Sequence, residues 1–191
     1  KRVRRRKMQR ENMERIFLIG YMGSGKTTVG KRLANSLSLE FIDLDAYIEN
    51  KYRKTIATLF AEKGEMEFRK IERQSLHEVA VFENVVVSTG GGAPCYFDNM
   101  ELMNKTGTTI YIKAHPEELA ARLLASKTVR PLIAGKPKEE LIPFIAEHLA
   151  QRECYYNDAQ IVYHTDRMIT RKDIHLIVCG IEELLRKRDE Q

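Results

Sequence analysis

The sequence predicts an α/β domain with a mainly parallel five-stranded sheet flanked by helices, and three observations predict it. Short apolar runs alternate with segments of helical period along the 191-residue chain. Most of the runs do not alternate with polar residues, the pattern of strands buried on both faces. The first, Ile16-Phe17-Leu18-Ile19, feeds a glycine-rich turn and then a helix, the junction at which a parallel sheet holds its ligand.

The elements follow in order. After Ile16–Ile19 and its turn, Val29 to Leu39 carries helical spacing, and Phe41-Ile42 is the second strand. Ala46–Lys51 reads as a short helix, and Met66 to Phe82 as a longer one with Ile71, Leu76 and Val79. Val85-Val86-Val87 and Thr109-Ile110-Tyr111-Ile112 are the third and fourth strands. Pro116 to Leu124 starts with proline where a helix tolerates it. Helix Glu139 to Tyr156, strand Ile161-Val162-Tyr163 and helix Asp173 to Leu185 complete the series. Residues 13–191 thus read as one domain, without internal repeat or linker. Between helices, in a stretch of about 126–138, residues 126–137 hold two prolines, a glycine and the cations Lys127, Arg130 and Lys136. Such a stretch is either a charged surface loop or, beside a nucleotide, a basic mobile lid.

Bulk composition narrows the class. An apolar share of 43% suits one sizeable core, and no apolar run nears the roughly 18 residues of a membrane span. Cys95, Cys154 and Cys179 are odd in number and form no C-x-x-C pair, so they read as free thiols of a cytoplasmic protein. The net charge of +5 is local: residues 1–12 hold seven Lys/Arg against one Glu, leaving the remainder at −1. That segment lacks interleaved aromatics to stack bases, so it reads as a disordered extension and no nucleic-acid partner is expected. Met13 is the natural start of the domain.

The turn Gly20-Tyr21-Met22-Gly23-Ser24-Gly25-Lys26-Thr27 fits G-x-x-x-x-G-K-[ST] in the required strand–turn–helix context. Its backbone N–H groups can cradle phosphate, helped by the positive end of the following helix. Lys26 can reach β- and γ-phosphates, and Thr27 places a hydroxyl where Mg²⁺ sits. The pattern points to a nucleoside triphosphate site.

Other constellations lie at strand ends. Asp43-Leu44-Asp45 follows the second strand; one acid can serve a metal and the other a nucleophile, or Asp45 can cap the next helix. Gly90-Gly91-Gly92 follows the third strand, where something needs either backbone freedom or missing side chains. Arg69 and Glu72 share a helix face, as a surface ion pair or as a carboxylate holding a guanidinium rigid. Arg152, with Tyr156 one turn on, is a second candidate arginine.

In order and spacing these pieces resemble the shikimate kinase family. The phosphate loop, Asp43-Leu44-Asp45, Phe60 with Gly64-Glu65, Phe68-Arg69-Lys70-Ile71-Glu72, Gly90-Gly91-Gly92-Ala93, Val129-Arg130-Pro131-Leu132 and Arg152 with Tyr156 carry the resemblance, from about Arg15 to Tyr156. It implies a three-layer P-loop kinase fold and transfer of the ATP γ-phosphoryl group to shikimate by a monomer using Mg²⁺. Asp45 would bind shikimate hydroxyls and position or deprotonate the attacking one. Arg69 and Arg152 would hold the carboxylate in the planar fork that lysine lacks. Gly91, between Gly90 and Gly92, would offer backbone N–H to the ring hydroxyls. Phe60 and Phe68 would wall the ring, and Glu72 would hold Arg69. Gly23, Ser24, Gly25, Lys26, Thr27 and Thr28 would wrap the phosphates, Thr27 would ligate Mg²⁺, and Asp43 would reach it through water. Arg130 would close over the phosphates and, with Lys26 and Asp45, carry catalysis. Cys154 stands where the family commonly has proline, and Arg122 and Arg167 are the candidate adenine neighbours. A gluconate- or nucleotide-kinase-like enzyme is the alternative, and a non-catalytic nucleotide-binding module is a further one.

Overall fold

A computed structural model describes residues 14–126, 136–165 and 170–190. The extension 1–12, residues 127–135 of the expected lid with Arg130, and Arg167 lie outside the described residues. Five strands are present: β1 (Arg15–Ile19), β2 (Glu40–Asp43), β3 (Val85–Ser88), β4 (Thr108–Lys113) and β5 (Ile161–His164). They lie in the order β2-β3-β1-β4-β5, and every neighbouring pair is parallel. Each falls within about two residues of an apolar run seen in the sequence.

The register levels the strand ends. Leu18 sits beside Ser88, and Asp43 beside the same serine on the other side of β3. The phosphate loop, the Asp43–Asp45 segment and the glycine turn therefore leave the sheet along one edge. From central β1 the order runs outward both ways, so this edge is also the switch point where open α/β sheets bind ligands.

Two apolar layers sandwich the sheet. Phe17 and Ile19 face one core, Ile16 and Leu18 the other, as the period-two geometry of a strand requires. Helices α1 (Lys26–Leu37) and α7 (Arg171–Asp189) cover the second core through Val29, Leu33, Ile177 and Ile181. The first is covered by α2 (Leu44–Tyr52), α3 (Ile56–Val79), α4 (Asn99–Thr106), α5 (Pro116–Ala125) and α6 (Lys138–Tyr156). Among the described residues, no helix is long and apolar enough to cross a membrane.

Three elements differ from the sequence reading. Helix α1 begins at Lys26, not Val29, because the phosphate loop passes into it without a break. Helix α3 starts ten residues early and is broken at Gly64 (φ 77°, ψ 169°), a conformation an L side chain resists. Helix α4 was not anticipated: only Met100 and Met103 supply buried apolar side chains, too few for a clear period.

Candidate active site

The phosphate loop owes its shape to backbone. Gly23 (φ 79°) and Gly25 (φ 94°) adopt left-handed conformations that would strain other residues. Lys26 heads α1 with its ammonium donating to the carbonyls of Gly20 (2.8 Å) and Tyr21 (2.9 Å). Ser24 is fully buried and its hydroxyl has no hydrogen-bond partner among the described residues. A cleft of about 360 Å³ opens in front, lined by Gly23, Gly25, Lys26, Thr27, Thr28, Asp43 and Asp45 on one side and Gly90 and Gly91 on the other.

Asp43 ties loop to helix. Its Oδ2 accepts from the Thr27 hydroxyl (2.9 Å), and its Oδ1 accepts from the N–H groups of Asp45 (3.1 Å) and Ala46 (3.3 Å). Asp43, not Asp45, is therefore the cap of α2. That leaves the Asp45 carboxylate in the helix's first turn, facing the cleft. A hydroxyl and a carboxylate at the mouth of a phosphate loop are hard oxygen donors, a set that suits Mg²⁺ carried in on a nucleotide. Among the described residues no group of three or more His, Cys, Asp or Glu is placed to hold a metal ion.

Across the cleft the side chains interlock. Arg69 and Glu72 pair at 2.8 Å while almost fully buried, at 7% and 1% exposure, which excludes an ordinary surface ion pair. Glu65 adds a second carboxylate at 3.3 Å. Tyr96 lies with its ring 4.3 Å from the Arg69 guanidinium and donates from its hydroxyl to Glu65 (2.8 Å). Phe60 and Phe68 pack on each other (4.2 Å between centroids), with the guanidinium about 5.5 Å from each ring. Burial works against the Arg69 charge and is outweighed by Glu72, so the guanidinium stays protonated. The same burial pushes Glu72 upward against the pull of Arg69, and Asp45 pushes the same way. The Nε of Arg69 is buried without a partner among the described residues.

The glycine turn makes this assembly possible by leaving out side chains, since none of its three residues has a positive φ. A Cβ on Gly90 would lie 2.9 Å from both an Asp45 and a Glu72 carboxylate oxygen. One on Gly92 would lie 2.5–2.7 Å from the Arg69 guanidinium. Gly91 abuts the phosphate loop at Met22 and Gly20, joining the two halves of the cleft.

Helix α6 brings Arg152 to the same place. Its charge acts on Tyr21, Glu65, Glu72, Cys95, His148 and Tyr156. Burial, opposed by Arg152 and Arg69, lifts the Cys95 thiol to about 11, so it stays protonated. All three cysteines are free. Arg122 lines the nucleotide end of the cleft, pairs with Glu118 (2.9 Å) and donates to the Ser24 carbonyl (3.3 Å). Sequence reasoning missed Tyr96, His148 and Ile174 near the site. They stand in no motif, and only the fold brings them there.

Comparison with known proteins follows this geometry. A shikimate kinase family model matches residues 22–181. The chain is 54% identical to a shikimate kinase of Parabacteroides distasonis over 173 residues, covering 91% of this chain and all of that protein. It is 51% identical to one from Bacteroides thetaiotaomicron, covering 91% and 99%. A crystal structure of shikimate kinase from Bacteroides thetaiotaomicron superposes with a TM-score of 0.89 at 51% identity, over 92% of this chain and 99% of that one. The Acinetobacter baumannii shikimate kinase, in complex with shikimate, superposes with a TM-score of 0.79 at 31% identity, over 93% and 96%.

Proposed function

Because the chain belongs to the shikimate kinase family, we propose that it transfers the γ-phosphoryl group of ATP to the 3-hydroxyl of shikimate, giving shikimate 3-phosphate and ADP. It is a kinase of aromatic amino acid biosynthesis. The single observation that carries the residue assignment is the buried Arg69, locked by Glu72 and seated on Gly92 at the strand edge that also bears the phosphate loop. A buried guanidinium with an unpaired Nε–H has reason to meet a carboxylate, which offers the matching pair of acceptors.

In this reading Arg69 and Arg152 hold the shikimate carboxylate, Phe60 and Phe68 wall the ring, and Gly90, Gly91 and Gly92 border its hydroxyls. Asp45 accepts a hydrogen bond from the 3-hydroxyl and aims its oxygen at the γ-phosphorus. Gly23 to Thr28 enclose the phosphates. Lys26 exchanges its bonds to the Gly20 and Tyr21 carbonyls for the phosphate oxygens. Charge spreads over the equatorial oxygens as the phosphoryl group moves, and Lys26 stabilises it there together with Arg130. Thr27 and, through water, Asp43 would hold Mg²⁺, which would supply neutralisation of phosphate charge. The enzyme acts as a monomer in the cytoplasm, consistent with its free cysteines and checkable by light scattering and fractionation.

A coupled assay for ADP release tests the reading, with gluconate and AMP as control acceptors. Shikimate-dependent turnover that collapses in Arg69→Ala supports enzyme and clamp together. Turnover on gluconate or AMP but not on shikimate would overturn it.

A further inference from the structure

Helix α6 carries His148, Arg152 and Tyr156 four residues apart, hence on one face. The face is pinned at both ends. His148 Nδ1 is bonded to the Tyr21 hydroxyl of the phosphate loop (2.9 Å). The Tyr156 hydroxyl donates to the Gly91 carbonyl (2.5 Å), across 65 residues of sequence. Tyr156 is fully buried, and its ring packs on Tyr111 with 5.0 Å between centroids. Arg152 lies between the pins, one turn before Tyr156, and its charge acts on the Tyr156 hydroxyl. One buried hydroxyl thus joins the helix that carries Arg152 to the middle residue of the glycine turn.

We propose that Tyr156 is a positioning residue for the acceptor, fixing the Gly91 segment against the helix that carries Arg152. The proposal rests on the reading that shikimate is the acceptor. The hydroxyl is buried, so its bond to the carbonyl is made in a low-dielectric interior where a hydrogen bond is strong and its loss is costly. Without the hydroxyl, Gly91 loses the bond that sets the direction of its carbonyl, and the helix carrying Arg152 loses its tie to the glycine turn. Both changes fall on shikimate binding. The phosphates are held elsewhere, by the phosphate loop and Lys26, so nucleotide binding is untouched.

Neighbouring Tyr111 supplies the control. It is buried as deeply, against the same ring, and its hydroxyl has no hydrogen-bond partner among the described residues. Tyr156→Phe and Tyr111→Phe remove the same atom from the same core, but only one of them removes the link. Steady-state kinetics and thermal melting of both variants beside the wild type make the test. Tyr156→Phe is expected to raise KM for shikimate about tenfold, the scale on which supporting partners act at bound groups. Its kcat should stay within about threefold, with KM for ATP unchanged. Tyr111→Phe should leave both KM values at wild-type levels. Equal kinetics for the two Phe variants would overturn the proposal, as would a Tyr156→Phe that does not fold beside a folded Tyr111→Phe. A wild type that does not phosphorylate shikimate would instead overturn the underlying reading, and the proposal with it.

Discussion

The two walls of the cleft are built from different materials. The nucleotide wall is backbone: left-handed glycines and the start of α1 shape it, and Thr27 and Thr28 stand exposed at its mouth. The acceptor wall is side chain: Arg69, Glu72 and Tyr96 are bonded or packed against one another, with Asp45 beside Glu72 across Gly90. A backbone cradle recognises what every nucleoside triphosphate shares, whereas an interlocked set of side chains can select one acid among many. In the proposed reading, specificity lies on the acceptor wall.

Substitutions can break that comparison, and the largest effect is expected where the walls meet. Asp45→Asn preserves shape and should lower kcat by about 10²–10⁴-fold, the usual worth of a placed acid–base group. Turnover near the wild-type value would show that the carboxylate neither orients nor accepts the proton. Glu72→Gln leaves Arg69 buried with only Glu65 nearby and should cost about 3 kcal/mol in urea unfolding, as removal of one partner of a buried pair does. Lys70→Ala, which breaks an exposed pair with Glu67, should leave the urea midpoint unchanged. Gly92→Ala drives a methyl into the guanidinium and should raise KM for shikimate up to about 10²-fold while sparing ADP affinity. Loss of both affinities together would mean that the walls are not independent.

Much of the nucleotide wall was legible in the sequence because its chemistry is local. Eight consecutive residues specify the turn, the helix start and the lysine. The strands were legible too, since a strand buried on both faces needs a short unbroken apolar run, and Val85 to Val87 can be little else. The acceptor wall was readable only by resemblance, because it is made of contacts between distant segments. That Arg69 and Glu72 are buried follows from how α3 meets the glycine turn, and nothing in their spacing tells a surface pair from an interior one. The two acids of Asp43-Leu44-Asp45 exchanged one role: the cap went to the residue at the strand end, whose side chain can turn back on the helix. Tyr156 stands in the sequence only as the residue one turn after Arg152, because its bond to Gly91 spans 65 residues.

Smaller effects sharpen the comparison. Thr27→Ala removes a candidate magnesium donor and its bond to Asp43. It should weaken Mg-dependent ADP binding about tenfold and leave ADP binding in EDTA unchanged, the cost of one hydrogen-bonding partner at a charged site. His148 should give the smallest signal. Burial, aided by Arg152 and opposed by Glu147 and Glu65, lowers its pKa below the ordinary 6.5. The unfolded chain then takes up the proton first, so this contribution to stability is complete above pH 6.5 and is lost as pH falls toward the folded value. The stability–pH curve of His148→Gln should be flatter than that of the wild type over that interval. A curve of unchanged slope would remove His148 as its source.

The acceptor wall is held together by bonds among its own side chains, so its shape does not depend on a bound nucleotide. Calorimetric titration of shikimate into nucleotide-free protein tests it directly, with Gly92→Ala alongside. The account predicts saturable binding to the wild type without nucleotide, and binding weakened by ten- to a hundredfold in Gly92→Ala. Shikimate binding that appears only once nucleotide is bound, or that is equal in both proteins, would contradict it.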